Sequence, residues 1–243
     1  MTASQASHAV KRFQRPGEYA EELLISRILD GTYAPGTVLP AERVLSETMG
    51  ITRPTLRETL QRLGREGWVH IRHGKPTRVA DFWATGGLGL LGTLARYGEH
   101  LPERFITHLL EFRAVILPPA AAAAARNDPD ALRGLLREAP LPGHAPEQWV
   151  AFDWRLQRRL CQLSANPLFV LIINDFKDLY HQLAPAYFAT AAARRASSSF
   201  YNALNAALIA SPGDTAEVVA SAMNESIRIW HQMEAGFVPD SAR

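Results

Sequence analysis

Residues 40–77 read PAERVLSETMGITRPTLRETLQRLGREGWVHIRHGKPT, and no other stretch restricts the fold as tightly. A helix starts near Ala41, carries Glu42 in its positive first turn and ends by Gly50. Thr52 is a good N-cap for the next helix, and Pro54 falls in the first turn, where a missing N–H costs nothing. That helix runs to Glu66, with Leu56, Leu60 and Leu63 on one face, and Gly67 caps it. Trp68 to Arg72 partly alternate in polarity as a strand does, residues 73–76 form a glycine-tipped turn, and Thr77-Arg78-Val79 return as a second strand. Upstream, Ala20, Leu23, Leu24, Ile28 and Leu29 give residues 18–30 a helical stripe that Gly31 stops. Three helices followed by a two-stranded ribbon make a winged helix-turn-helix.

Beyond about residue 86 the strand signals vanish. Leucine- and alanine-rich patterns predict helices over 86–97, 102–126, 129–138, 146–164, 167–188, 191–210 and 214–236. Breaks fall at Gly98, Asn127-Asp128-Pro129, residues 140–143, Asn166-Pro167 and Ser211-Pro212-Gly213. The expected fold class is mainly α: an N-terminal winged helix-turn-helix followed by an all-helical ligand-binding domain of about seven helices. The expected boundaries are a flexible tail over 1–17, the winged helix over 18–80, a linker and connecting helix over 81–100, and the helical domain over 101–243. Phe82 and Trp83 are expected to pack across the junction. Pro118-Pro119 lies inside a predicted long helix, which leaves open whether that helix bends or ends there. The alanine run 120–125 is a strong helix former.

A chain of 243 residues, 47% hydrophobic, is long enough for two cores. Residues 1–80 hold twelve Lys/Arg against eight Asp/Glu, and the remainder fourteen against sixteen. A basic first third suits a polyanionic partner. The single cysteine, Cys161, excludes an intrachain disulfide and a four-sulfur metal site, and fits a reducing, cytoplasmic compartment. Residues 1–15 lack the apolar core of a signal peptide. The longest apolar run, 114–125, has twelve residues broken by two prolines, too short to span a bilayer. A soluble protein with no membrane partner is expected. No G-x-S-x-G motif is present and Cys161 sits on an amphipathic helical pattern, so no catalytic residues are expected.

Arg53 and Arg57 are four residues apart and project from one helical face, while Leu56, Leu60 and Leu63 point the other way. An arginine pair opening the second helix of such a motif is placed to meet guanine O6 and N7 in the major groove of double-stranded DNA. The hydroxyls of Thr52 and Thr55, with the first-turn amides, suit a phosphate. Arg43, one helix earlier, is a third candidate for bases. At the ribbon tip, His73 and Lys75 flank Gly74, whose lack of a side chain permits close approach to a nucleic-acid backbone. Arginines beside glutamates are more often a solvated face, here paired with Glu58 and Glu66; the order of helix, turn, helix, glycine and ribbon favours the DNA reading.

The pattern Leu39-Pro40-Ala41-Glu42-Arg43 followed by Thr52-Arg53-Pro54-Thr55-Leu56-Arg57-Glu58 resembles the GntR family of bacterial transcription regulators. His73-Gly74-Lys75-Pro76-Thr77, Asp81-Phe82-Trp83, Leu94-Ala95-Arg96, Asn166-Pro167, Ala186-Tyr187-Phe188 and Ile229-Trp230-His231 are similar to its fatty-acid-responsive branch. The resemblance implies a homodimer on a palindromic operator that represses fatty-acid degradation genes and activates unsaturated fatty-acid synthesis genes. It implies no cofactor; long-chain fatty acyl-CoA, bound in the helical domain, acts as effector and releases the DNA. Carried over by position, Arg43, Arg53, Arg57 and His73 contact bases, and Thr52 and Thr55 hold phosphates. Pro54 stands where that branch has a threonine, so one phosphate contact is missing.

In the helical domain, Tyr180 and Tyr187 are seven apart on one helical face, and Arg113 lies among Leu109, Leu110, Phe112, Val115 and Ile116, where a charge needs a partner. An apolar tunnel with a few polar hooks could use these groups; aromatic residues at such spacing are more often plain core. The resemblance implies that Tyr180, Tyr187, Glu225, Ser226 and Trp230 belong to the acyl-CoA site. Three positions depart from it: Met223 replaces a glycine, Gln157 a cavity phenylalanine, and Ala235 a lysine that would meet the CoA phosphates. A metal-dependent organic-acid sensor is an alternative, but Asp153 is followed four residues later by Gln157 rather than a metal ligand, and His108, His181 and His231 have no convergent pattern. No metal site is expected. A constitutive DNA binder is the other alternative.

Overall fold

The computed structural model describes residues 15–97, 101–102 and 104–236, which divide at Leu90/Leu91 into two compact units. Most of the expected tail lies outside the described residues, although Pro16 and Gly17 already belong to helix α1 (Pro16–Leu29). Its first-turn Glu18 accepts the Arg15 N–H at 3.3 Å, and Ala20, Leu24, Ile25 and Ile28 are buried. Helices α2 (Glu42–Met49) and α3 (Arg53–Glu66) follow, each closed by a left-handed glycine, Gly50 and Gly67. α1 and α2 both pack on α3, which buries Leu56, Thr59, Leu60 and Leu63.

The ribbon is shorter than expected and is extended by an isolated bridge. β1 (Val69–His70) and β2 (Arg78–Val79) are antiparallel, with Val69 opposite Val79; Ile71 and Arg72 run past the ladder. On its other edge β2 pairs with the segment before α2: Val79 N–H donates to the Thr37 carbonyl and Leu39 N–H to the Thr77 carbonyl, both at 2.9 Å. The turn-rich residues 31–40 hide this bridge from a reading by alternation. Trp68 is fully buried, and its ring meets that of Phe82 at 4.9 Å, so Phe82 completes the core of the first unit. The helix expected over 86–97 begins only at Leu90, as α5 (Leu90–Arg96), and a short helix that was not expected, α4 (Phe82–Thr85), precedes it. Gly86, Gly87 and Gly89 interrupt helix propensity between them. A Cβ on Gly86 would stand 2.2 Å from Leu90 Cδ1 and 2.4 Å from the Phe82 carbonyl, so only glycine fits.

The second unit continues with α6 (Phe105–Asn127), α7 (Pro129–Leu136), α8 (Pro146–Leu163), α9 (Pro167–Asp175), α10 (Lys177–Ala189), α11 (Ala191–Ala210), a 3-10 turn (Pro212–Asp214) and α12 (Thr215–Gly236). The starts follow cap chemistry: Asp128, Asn166 and Thr190 accept the N–H groups of Ala131, Leu168 and Ala193. The expected helix 167–188 is broken at Phe176, whose ring stacks on Phe112 at 5.6 Å, a tertiary contact that helical periodicity cannot report.

α6 is the centre of this unit, with α12 and α8 packed against it. Pro118 and Pro119 neither end nor split it. They remove the N–H donors that would serve the Ala114 and Val115 carbonyls; Val115 is 70% exposed, so that side faces water. Below the prolines, Ala120, Ala121, Ala124 and Ala125 are buried in the core. By length and composition alone α6 would suffice to cross a membrane, contrary to the argument from the twelve-residue run, yet this is the helix on which the core is assembled.

Candidate functional site

The residues expected to meet DNA lie on the first unit. Thr52 caps α3 by accepting the Thr55 N–H at 3.3 Å, and the two threonine hydroxyls are 2.9 Å apart. The cap therefore holds two hydroxyls at the positive end of a 14-residue helix, and Pro54 leaves that end one N–H short. Arg43, Arg53 and Arg57 are all exposed. Arg53 has no ion-pair partner among the described residues. Arg57 Nε donates to Glu42 at 2.6 Å, and Arg43 Nη1 donates to both Glu47 oxygens at 2.9 Å. Glu42 and Glu47, rather than Glu58 and Glu66, are thus the glutamates found holding these arginines. Their signals were i,i+4 spacing for Glu47 and a helix-to-helix contact for Glu42. Exposed pairs of this kind contribute at most about 1 kcal/mol, so a nucleic acid can displace them. At the wing tip Gly74 takes φ 68°, and His73, Gly74 and Lys75 are all exposed. Arg78 is occupied structurally, donating to the Gly36 carbonyl at 2.9 Å.

In the second unit, Arg113 from α6, Tyr180 and Tyr187 from α10, and Glu225, Ser226 and Trp230 from α12 all line one cavity. Gln157 and Met223 line it too, whereas Ala235 does not. The cavity measures about 120 Å³. That is room for about ten waters, or roughly 300 Å³ of ligand, at the small end of ligand pockets. Most of the wall is apolar, with Ile106, Leu109, Leu110, Ile173, Leu183 and Phe200 among its residues.

Two polar groups interrupt that wall. Arg113 Nη2 donates to Ser226 Oγ at 2.6 Å, and Ser226 in turn donates to the Met223 carbonyl at 2.7 Å. The second group is centred on Asp153, 7% exposed, whose carboxylate accepts from Gln157 Nε2 at 2.5 Å, Tyr180 Oη at 2.8 Å and Tyr201 Oη at 3.0 Å. Burial and the neighbouring Asp153 carboxylate push both phenols well above the usual tyrosine range. Tyr187 is also raised, chiefly by burial. Glu225 is nearer the surface and held below its usual value by hydrogen bonds from Arg228. Trp230 Nε1 donates to Glu234 at 2.7 Å.

Sequence reasoning missed Tyr201, and weighed Asp153 only as a metal ligand. A buried carboxylate needs donors, but nothing in helical spacing says that the donors come from α10 and α11. The Asp153–Gln157 pair is a hydrogen bond, and among the described residues no group of three His, Cys, Asp or Glu side chains is gathered for a metal. His231 Nε2 lies 3.1 Å from Thr107 Oγ1, and His181 packs against Trp154 and Tyr180. Cys161 is buried, which pushes its thiol up to about 12 and leaves it inert as a nucleophile.

Residues 16–79 match the family described as bacterial regulatory proteins, gntR family, and residues 80–241 match the FadR C-terminal domain. The fatty acid metabolism regulator protein of Edwardsiella ictaluri (strain 93-146) is 40% identical over 234 residues, covering 96% of this chain and 98% of its own length. That of Pectobacterium carotovorum subsp. carotovorum (strain PC1) is 39% identical over the same coverage. Among solved structures, Lar, which controls the expression of the Listeria monocytogenes agr system, superposes with a TM-score of 0.59 at 18% identity, over 91% of this chain and 99% of its own. That likeness extends to the fold alone. With a winged reading head, a helical cavity domain and relatives of nearly equal length, this chain belongs to the GntR family of bacterial regulators, in the group that carries the FadR C-terminal domain.

Proposed function

We propose that a long-chain acyl-CoA entering the α6–α12 cavity releases this chain, as a homodimer, from a palindromic operator. The chain is a DNA-binding transcription regulator of fatty-acid metabolism and not an enzyme. The observation that carries the effector reading is the convergence of Arg113, Tyr180, Tyr187, Glu225, Ser226 and Trp230, from three helices, on one mostly apolar cavity. The hydrocarbon would lie against the leucine, isoleucine and phenylalanine wall, and the Arg113–Ser226 pair would meet the thioester carbonyl. On the other unit, Arg43, Arg53, Arg57 and His73 would read bases, while Thr52, Thr55, Gly74 and Lys75 would hold the backbone. Such a regulator works on chromosomal DNA in the cytoplasm, repressing degradation genes and activating unsaturated fatty-acid synthesis genes.

The test is a gel shift on a fatty-acid-gene operator with and without oleoyl-CoA, paired with thermal unfolding. Binding to the folded state raises the melting temperature by linkage, and the operator complex dissolves. No shift in either at tens of micromolar ligand rejects acyl-CoA as effector. The small cavity favours one alternative, a shorter acyl or organic ligand, so octanoyl-CoA belongs in the same experiment.

A further inference from the structure

The Asp153 cluster has a surplus that the acyl-chain reading does not use. Asp153 and Gln157 come from α8, Tyr180 from α10 and Tyr201 from α11, and three of the four line the cavity. A carboxylate can only accept hydrogen bonds. The end of Gln157 that faces Asp153 at 2.5 Å must therefore be its NH2 group, which resolves the ambiguity of the amide and turns the carbonyl oxygen away from Asp153. That oxygen, Oε1, is enclosed and has no hydrogen-bond partner among the described residues, in a side chain 2% exposed. Both phenol protons are already committed to Asp153, which takes three donors where a carboxylate offers about four acceptor sites. The cluster has spent its hydroxyl protons and leaves open the Oε1 acceptor and the second N–H of the same amide. A buried acceptor without a donor is costly, and nearly all such groups in proteins find one.

We propose that this cluster is a subsite for a hydrogen-bond donor carried on the ligand's chain, which makes a hydroxylated acyl-CoA the preferred effector. The inference rests on the acyl-CoA reading above. A neutral hydroxyl fits better than an ammonium, because the Arg113 guanidinium lines the same cavity and repels a second cation. Oε1 is enclosed in the wall, so a ligand reaches it only when the terminal amide turns, and that turn exchanges the Nε2–Asp153 bond for one to the ligand. A plain methylene chain passing the cluster leaves Oε1 unmet, whereas a hydroxyl satisfies it and accepts in turn. Sites built to bond a hydroxyl discriminate strongly against the analogue that lacks it.

The experiment is calorimetric titration of the full chain with dodecanoyl-CoA, 3-hydroxydodecanoyl-CoA and 12-hydroxydodecanoyl-CoA, repeated on Gln157→Leu and Gln157→Met. In the native chain at least one hydroxylated ester binds about tenfold or more tightly than dodecanoyl-CoA. In both variants that ratio falls to within about threefold, whatever happens to the affinity for the plain ester, because the partner of the hydroxyl is gone. Equal binding of all three esters by the native chain overturns this proposal alone. A preference that survives both substitutions also overturns it. If none of the esters binds, the acyl-CoA reading falls, and this proposal with it. The native-chain comparison decides the matter even if the variants fold poorly.

Discussion

The proposed DNA-reading residues run from Arg43 to Lys75, on two consecutive helices and the turn that follows, and nearly all are exposed. The proposed effector residues run from Arg113 to Trp230 on three helices; Ser226 is buried, and the others are only half-exposed. On the first unit charges stand in water, paired weakly with Glu42 and Glu47, ready to exchange partners. In the second unit a carboxylate is held in the wall by three committed donors, and little there can change partner without cost. A surface that must search many sites needs cheap contacts, whereas a cavity that must recognise one shape needs expensive ones.

The contrast breaks first at Asp153. Asp153→Ala strands the Gln157, Tyr180 and Tyr201 donors together and should lower stability by about 3 kcal/mol or more in urea unfolding; a loss under about 1 kcal/mol would mean that the cluster is not the rigid part of the wall. Arg53→Ala should do the reverse. Stability stays the same while specific operator affinity drops by roughly 1–3 kcal/mol, measured by titration against operator and scrambled DNA. Normal operator binding by this variant would remove α3 as the reading helix.

Tyr201 gives a smaller, pH-resolved effect. Its folded-state phenol is raised above the ordinary value of 10.0, so its stabilisation is fully present below pH 10 and is lost as pH rises beyond it. Tyr201→Phe should flatten the fall of stability above pH 10 by about 1.4 kcal/mol per pH unit. An unchanged slope contradicts the buried, Asp153-linked phenol. The smallest effect is expected at the wing. Lys75→Ala should weaken binding to all DNA alike and reduce the slope of log affinity against log salt by about 0.9. A loss confined to one sequence would turn Lys75 from a backbone contact into a reader of bases.

The same contrast decides what could be read from the chain. Thr52, Pro54, Gly50 and Gly67 mark α2 and α3 through local cap chemistry, and the reading face follows from four-residue spacing. Tyr180 and Tyr187 reach the cavity wall for the same reason. The bridge at Val38 escaped because that residue lies in a turn-rich stretch and pairs with one forty positions away. The break at Phe176 escaped because no glycine or proline marks it; the residue's stack on Phe112 is a contact that spacing cannot report. Gln157 drew notice as a departure from a resemblance and as a non-ligand four residues after Asp153; its role depends on two tyrosines from other helices, and no window of sequence contains them all.

The proline pair in α6 divides that helix by task. The α6 residues that line the cavity, Ile106 to Ile116, all precede Pro118, and the buried alanines of the core all follow Pro119. Two rungs of the backbone ladder are already missing where the tasks meet, so flexing there severs none of them. The bonds that tie α12 to α6, Arg113 to Ser226 and Thr107 to His231, lie on the cavity side of the prolines, so widening a cavity of about 120 Å³ would act on those first. One continuous helix thus serves both the ligand wall and the alanine core, and its two missing rungs fall between them.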